Sequence, residues 1–167
     1  MTIDEIIGYV TTFDGILIQR PGPGDGTPEI AWGDTFFYYA PDGEIPPRTQ
    51  PFATIVTKDY PGDVRSRLDR PDTFRLNISA TAADFRTWTG RAPRDAYSGS
   101  EDPSVADTVL AHPVYGTAAW LAVVNPGPRT AQAVRDLLRT AYDRARARAE
   151  RTRTGNPSGD PHHPPVS

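Results

Sequence analysis

At 167 residues the chain has the size of one ordinary domain, long enough to bury a core. It has no cysteine, which excludes disulfide scaffolds, thiolate metal sites and cysteine nucleophiles. A net charge of −3 gives no general attraction to nucleic acid or anionic lipid, and the longest apolar stretch, Thr117–Val124, is too short to span a bilayer.

The first segment reads as a helix. Thr2 and Glu5 stand at the spacing of a capping box, and Ile3, Ile6, Ile7 and Val10 share one face. Asp14-Gly15 ends it, and Gly15–Gln19 reads as a short strand. The turn cluster Pro21–Gly26 follows, then the aromatic run Glu29–Tyr39, which favours strand. Together these two strands suggest a hairpin across the Gly-rich loop. That loop does not suit phosphate, because Pro23 lacks an amide, Asp25 repels an anion and no helix starts there.

Phe52–Lys58 alternates, with Phe52, Thr54, Val56 and Lys58 on one face. Tyr60–Asp63 is a turn, and Val64–Leu68 suggests a helical turn. Phe74–Ile78 alternates again, with Phe74, Leu76 and Ile78 inward and Arg75 and Asn77 on the other face. Thr81 with Asp84 marks a second helix start, and Gly90 marks its end. A polar loop spans Arg91–Asp107. Ala118–Val124 reads as a buried strand. Thr130 can cap a last helix with the apolar stripe Val134, Leu137, Leu138, Ala141 and Tyr142.

This order predicts an α+β fold: a single domain over residues 1–153 with a mostly antiparallel sheet of about five strands. The N-terminal, middle and C-terminal helices pack on one sheet face. Residues 154–167 read as a disordered Pro-rich tail. The acidic N-terminus lacks the basic start of a secretory signal, so the expected location is the cytoplasm.

Four segments carry a family resemblance. They are Pro28–Tyr39 (PEIAWGDTFFYY), Pro51–Pro61 (PFATIVTKDYP), Phe74–Ile78 (FRLNI) and the stretch from His112-Pro-Val-Tyr-Gly to Val124-Asn-Pro-Gly-Pro. Together they resemble a family of short actinobacterial proteins known only as a domain of unknown function, over residues 1–150. The layout is also similar to YjbR-like small α/β domains, through a Pro-Phe-Ala strand, a late apolar strand and a closing helix. The first resemblance implies no activity. The second implies a DNA-binding alternative through fold alone.

Several residues stand out chemically. Among 18 cations Lys58 is the sole lysine, in a composition that suggests a high-GC genome. Lysine can lose its proton when buried or form a Schiff base; a solvated strand end explains it equally. His112 is the one histidine outside the tail and a candidate base or acid, or else a loop residue bonded to backbone. Asp34 falls on the face of Trp32, Phe36 and Tyr38 if the run is strand throughout. It is either a desolvated acid–base group or the partner of an arginine such as Arg75.

The candidate catalytic set is therefore His112, Asp34 and Lys58. Trp32, Tyr38, Arg75, Asn77, Tyr115 and Trp120 are candidate ligand contacts on the helix-free face. The expectation is an aromatic-lined cleft for a small molecule, with a cofactor-independent enzyme of specialised metabolism as its catalytic form. No metal or cofactor is expected, since His112 has no partner at ligand spacing and nucleotide motifs are missing. The alternative is an interaction module in which Tyr38, Tyr39 and Tyr97 form a homodimer patch. Nucleic acid is not expected, although the Arg144–Arg153 run is cationic, because Asp143 and Glu150 interrupt it.

Overall fold

The computed structural model describes residues 1–155. The elements are α1 (Ile3–Val10), β1 (Ile16–Gln19), β2 (Thr35–Tyr39), β3 (Ala53–Val56), β4 (Arg75–Ser79), α2 (Ala82–Thr89), β5 (Leu110–Ala111), β6 (Trp120–Val124) and α3 (Ala131–Thr154). All strand neighbours are antiparallel, in the order β1-β2-β3-β4-β6-β5. The sheet has six strands rather than five because Leu110–Ala111 pairs with Leu121 and Ala122. Two residues are too few to show alternation, so this strand left no sequence signal.

Each helix has a local cause. The Thr2 hydroxyl accepts from the Glu5 amide while the Glu5 carboxylate accepts from the Thr2 amide, completing the capping box of α1. Thr81 accepts from the Asp84 amide at the start of α2, and Gly90, at φ +73°, closes it in the left-handed conformation. The α3 start departs from expectation. Thr130 holds the N-cap position but accepts nothing, and instead its hydroxyl donates to Asp107. Asp107 also accepts from the amides of Gly127, Arg129 and Thr130, so the cap comes from a distant loop.

The three helices cover one sheet face. Phe37, Ala53, Ile55, Leu76, Ile78, Leu121 and Val123 point into a single cluster with Ile6, Val10, Phe85, Val134, Leu137, Leu138, Ala141 and Tyr142. The register pairs these positions across strands, as in Ile55 with Leu76 and Ile78 with Leu121. Phe52 breaks the expected alternation. It precedes β3 and turns into this core, where its ring meets Phe37 and Tyr142. At the hairpin start Gly15 is required twice over. Its φ is +70°, and a Cβ there would stand 2.8 Å from the Tyr39 ring.

The aromatic run is strand only from Thr35. Glu29–Ala31 forms a 3-10 turn, and Gly33 at φ +87° reverses the chain before β2 begins. Val64–Leu68 forms turns without a helix, with Arg67 at φ +55° and the Leu68 amide bonded to Asp59. This segment folds over the second sheet face, where Leu68 and Tyr60 pack on Val56 and Val124. The helix α3 runs to Thr154. The Pro-rich tail expected beyond 153 lies outside the described residues except for Thr154 and Gly155. No helix among the described residues is long and apolar enough to cross a membrane.

Candidate functional site

The second sheet face is built from the alternate residues of the same strands. The register sets Phe36 beside Thr54, Thr54 beside Asn77, Val56 beside Arg75 and Asn77 beside Ala122. Two loops close over the ends of this row. The Tyr60–Leu68 segment covers the Arg75 end, and the turn after β5 brings in His112 and Tyr115. Between them lies an open groove of about 750 Å³. Phe36, Thr54, Val56, Tyr60, Asp63, Arg75, Asn77, His112, Tyr115 and Trp120 line it, together with Ala31, Gln50, Pro51, Pro61, Gly62, Val114 and Ala118.

Arg75 is the centre of the floor. The sequence puts it on the face away from the helices, and it is there, but it is 1 % exposed. Its guanidinium grips Asp63 with both terminal nitrogens, at 2.9 and 2.6 Å. It also donates to Ser66 Oγ at 2.9 Å and to Asn77 Oδ1 at 2.7 Å. Asn77 passes the network on by donating to Thr54 Oγ1 at 3.0 Å. Such bidentate pairing is what allows a charge to stay buried. Burial pushes the Asp63 carboxyl up, but the Arg75 bonds and charge, helped by His112, hold it below its ordinary value.

His112 stands beside Arg75. It is 2 % exposed, and its Nδ1 accepts from the backbone amides of Val114 and Tyr115, both at 3.0 Å. Its Nε2 is 3.1 Å from Arg75 Nη2. The Tyr115 ring packs on the imidazole at 5.0 Å. Burial, then the Arg75 charge, lower the His112 pKa to about 3, against a smaller opposite pull from Asp63. The imidazole is therefore neutral at physiological pH. It offers a fixed N–H donor rather than an easily protonated base.

Asp34 and Lys58 form a separate cluster. Asp34 is fully buried, and it pairs with Lys58 at 3.2 Å rather than with Arg75. It accepts from the Thr57 amide and hydroxyl and from the Tyr60 hydroxyl. Lys58 Nζ also donates to the Trp32 carbonyl at 2.7 Å. The one lysine thus ties the turn before β2 to the end of β3. Burial, with the Asp34 bond and charge behind it, raises the Tyr60 pKa, so this phenol stays protonated and donates. Tyr60 is the link to the groove, since it lines the groove while bonding Asp34 behind it.

Of the residues singled out in the sequence, Arg75, Asn77, His112, Tyr115 and Trp120 share the groove. Asp34, Lys58, Trp32 and Tyr38 do not line it. The Trp32 indole N–H donates to the Thr27 carbonyl, and Tyr38 pairs with Leu17 near the β1 edge. Tyr97, bonded to the Val114 carbonyl, lies by the opposite, β5 end, so Tyr38, Tyr39 and Tyr97 do not form one patch. Sequence reasoning missed Tyr60, Asp63 and Ser66. They sit in a segment read only as turns, and nothing local marks which strand a turn will cover. Among the described residues no three His, Asp or Glu side chains gather as a metal site would require.

Fold and site together define an α+β domain with an open antiparallel sheet, helices on one face and a groove with a polar floor on the other. The chain belongs to the family of unknown function DUF6194, whose model matches residues 1–154. Neither the curated proteins nor the solved structures contain a match to it.

Proposed function

We propose that the groove over Arg75, Asn77 and His112 binds a small molecule with a largely apolar body. The observation that carries this reading is the contrast between floor and walls. The floor is a network of buried, oriented polar groups, and the walls are Phe36, Val56, Pro51, Tyr115 and Trp120. A concave apolar site with a few fixed polar groups is the usual form of a ligand pocket, and its volume falls within the usual range. Binding rather than proton transfer is favoured, because the buried His112 stays neutral with Nδ1 held by two backbone amides, and Asp34 is held by four partner atoms away from the groove.

The test is a thermal-shift screen of aromatic and alicyclic fragments against the native chain and a Trp120→Ala variant. Fragments that raise the melting temperature of the native chain should lose most of that effect in the variant. Stabilisation unchanged by Trp120→Ala places binding elsewhere and contradicts the proposal.

A further inference from the structure

The proton arrangement around His112 narrows the ligand class. Two backbone N–H groups point at Nδ1, so Nδ1 carries the lone pair. In a neutral imidazole the proton then sits on Nε2. The neighbour of Nε2 is Arg75 Nη2 at 3.1 Å, and a guanidinium nitrogen has no lone pair to offer. Two donors therefore face each other at the groove floor. Among the described residues Nε2 has no other partner. A buried donor without an acceptor is costly, and one oxygen set beside the pair on the groove side, within reach of both nitrogens, would accept from both.

Charge decides what kind of oxygen. The Arg75 charge is neutralised by Asp63 and the Lys58 charge by Asp34. The floor thus carries no net positive charge to compensate a buried anion.

Resting on the small-molecule reading, we infer that the ligand presents a neutral carbonyl-type oxygen to the paired N–H donors of His112 Nε2 and Arg75 Nη2. Its apolar body lies along Phe36 and Trp120. The chemical class is a neutral aromatic or alicyclic ketone, ester or amide. A carboxylate of the same shape is disfavoured, because its charge requires His112 to take up a proton inside the fold.

Three probes of one shape separate the possibilities at pH 7: 2-acetonaphthone, 2-isopropenylnaphthalene and 2-naphthoate. Quenching of tryptophan fluorescence reads each affinity. The ketone should bind about tenfold more tightly than the alkene, as expected for a hydrogen bond to a buried donor. Naphthoate should bind more weakly than the ketone, and the His112→Phe variant should erase the ketone–alkene difference. Equal affinity for ketone and alkene overturns this inference while leaving the groove as a binding site. Tightest binding of naphthoate overturns the requirement for a neutral ligand. Binding of none of the three contradicts the groove reading itself, and the inference with it. A variant that fails to fold does not block the test, because long-range 1H–15N correlation on the native chain reads the imidazole directly. A proton found on Nδ1 of His112 removes the donor pair.

Discussion

Arg75 holds Asp63 through two parallel N–H···O bonds, at 2.9 and 2.6 Å, on a sheet face that carries no helix. The pair fixes the Tyr60–Leu68 segment over β4 and so shapes one end of the groove. Asp63→Asn leaves the guanidinium buried with its charge uncompensated. Breaking a buried pair in this way costs about 3–5 kcal/mol. Urea unfolding should show a loss of that size. Arg75→Lys should also be destabilising, because a point ammonium cannot bridge both carboxylate oxygens and still reach Ser66 and Asn77.

Stability should depend on pH through His112. Its pKa is about 3 in the fold and about 6.5 in an unfolded chain. Between those values the unfolded state binds the extra proton, so acid favours unfolding. The contribution is fully present above pH 6.5 and is lost as pH falls toward 3, by up to about 1.4 kcal/mol per unit. Melting temperatures of the native chain should fall between pH 6.5 and 4.5. His112→Gln should flatten that slope even if the variant is less stable throughout. An unchanged slope in the variant assigns the effect to other groups.

Among the described residues Tyr60 is the only partner of Asp34 Oδ2, while Oδ1 is held by Thr57 and Lys58. Tyr60→Phe therefore strands a buried carboxylate oxygen and should cost about 1–3 kcal/mol. Lys58→Met should cost less than a full buried charge pair, since Lys58 is partly exposed and water can reach the cluster from its side. Thermal unfolding of the two variants checks the order.

Asp107 gathers the amides of Gly127, Arg129 and Thr130 and the Thr130 hydroxyl. It caps the last helix from a loop that sequence patterns leave blank. Asp107→Ala should cost about 1–3 kcal/mol and raise hydrogen exchange at the first turn of α3 before the rest of the helix. Thr130→Ala should cost less, because it removes one of the four donors.

The fold was largely legible from periodicity. The apolar stripes of α1 and α3 and the alternation of β4 fix which residues face the helices, because burial of one face imposes the period. The antiparallel order followed from the short joins. The site was only half legible. Arg75 and Asn77 could be placed on the correct face because strand alternation is strict. Whether that face met water could not be read, because its cover, Tyr60–Leu68, is a turn-rich segment held by long-range bonds. The positive φ of Gly33 breaks the alternation between Trp32 and Asp34, and Asp34 is kept out of the groove by its bonds to Thr57, Lys58 and Tyr60, which no local pattern reveals. Lys58 stands out by rarity, and in the fold it makes two bonds that tie the turn before β2 to the end of β3.

A ligand on the helix-free face should sit over Arg75 and His112. Amide 1H–15N spectra recorded while 2-acetonaphthone is added test it most directly. Shifts should concentrate at Thr54, Asn77, Tyr115 and Trp120, with α1 and α3 unaffected. Shifts confined to the helical face, or none at millimolar ketone, would contradict it.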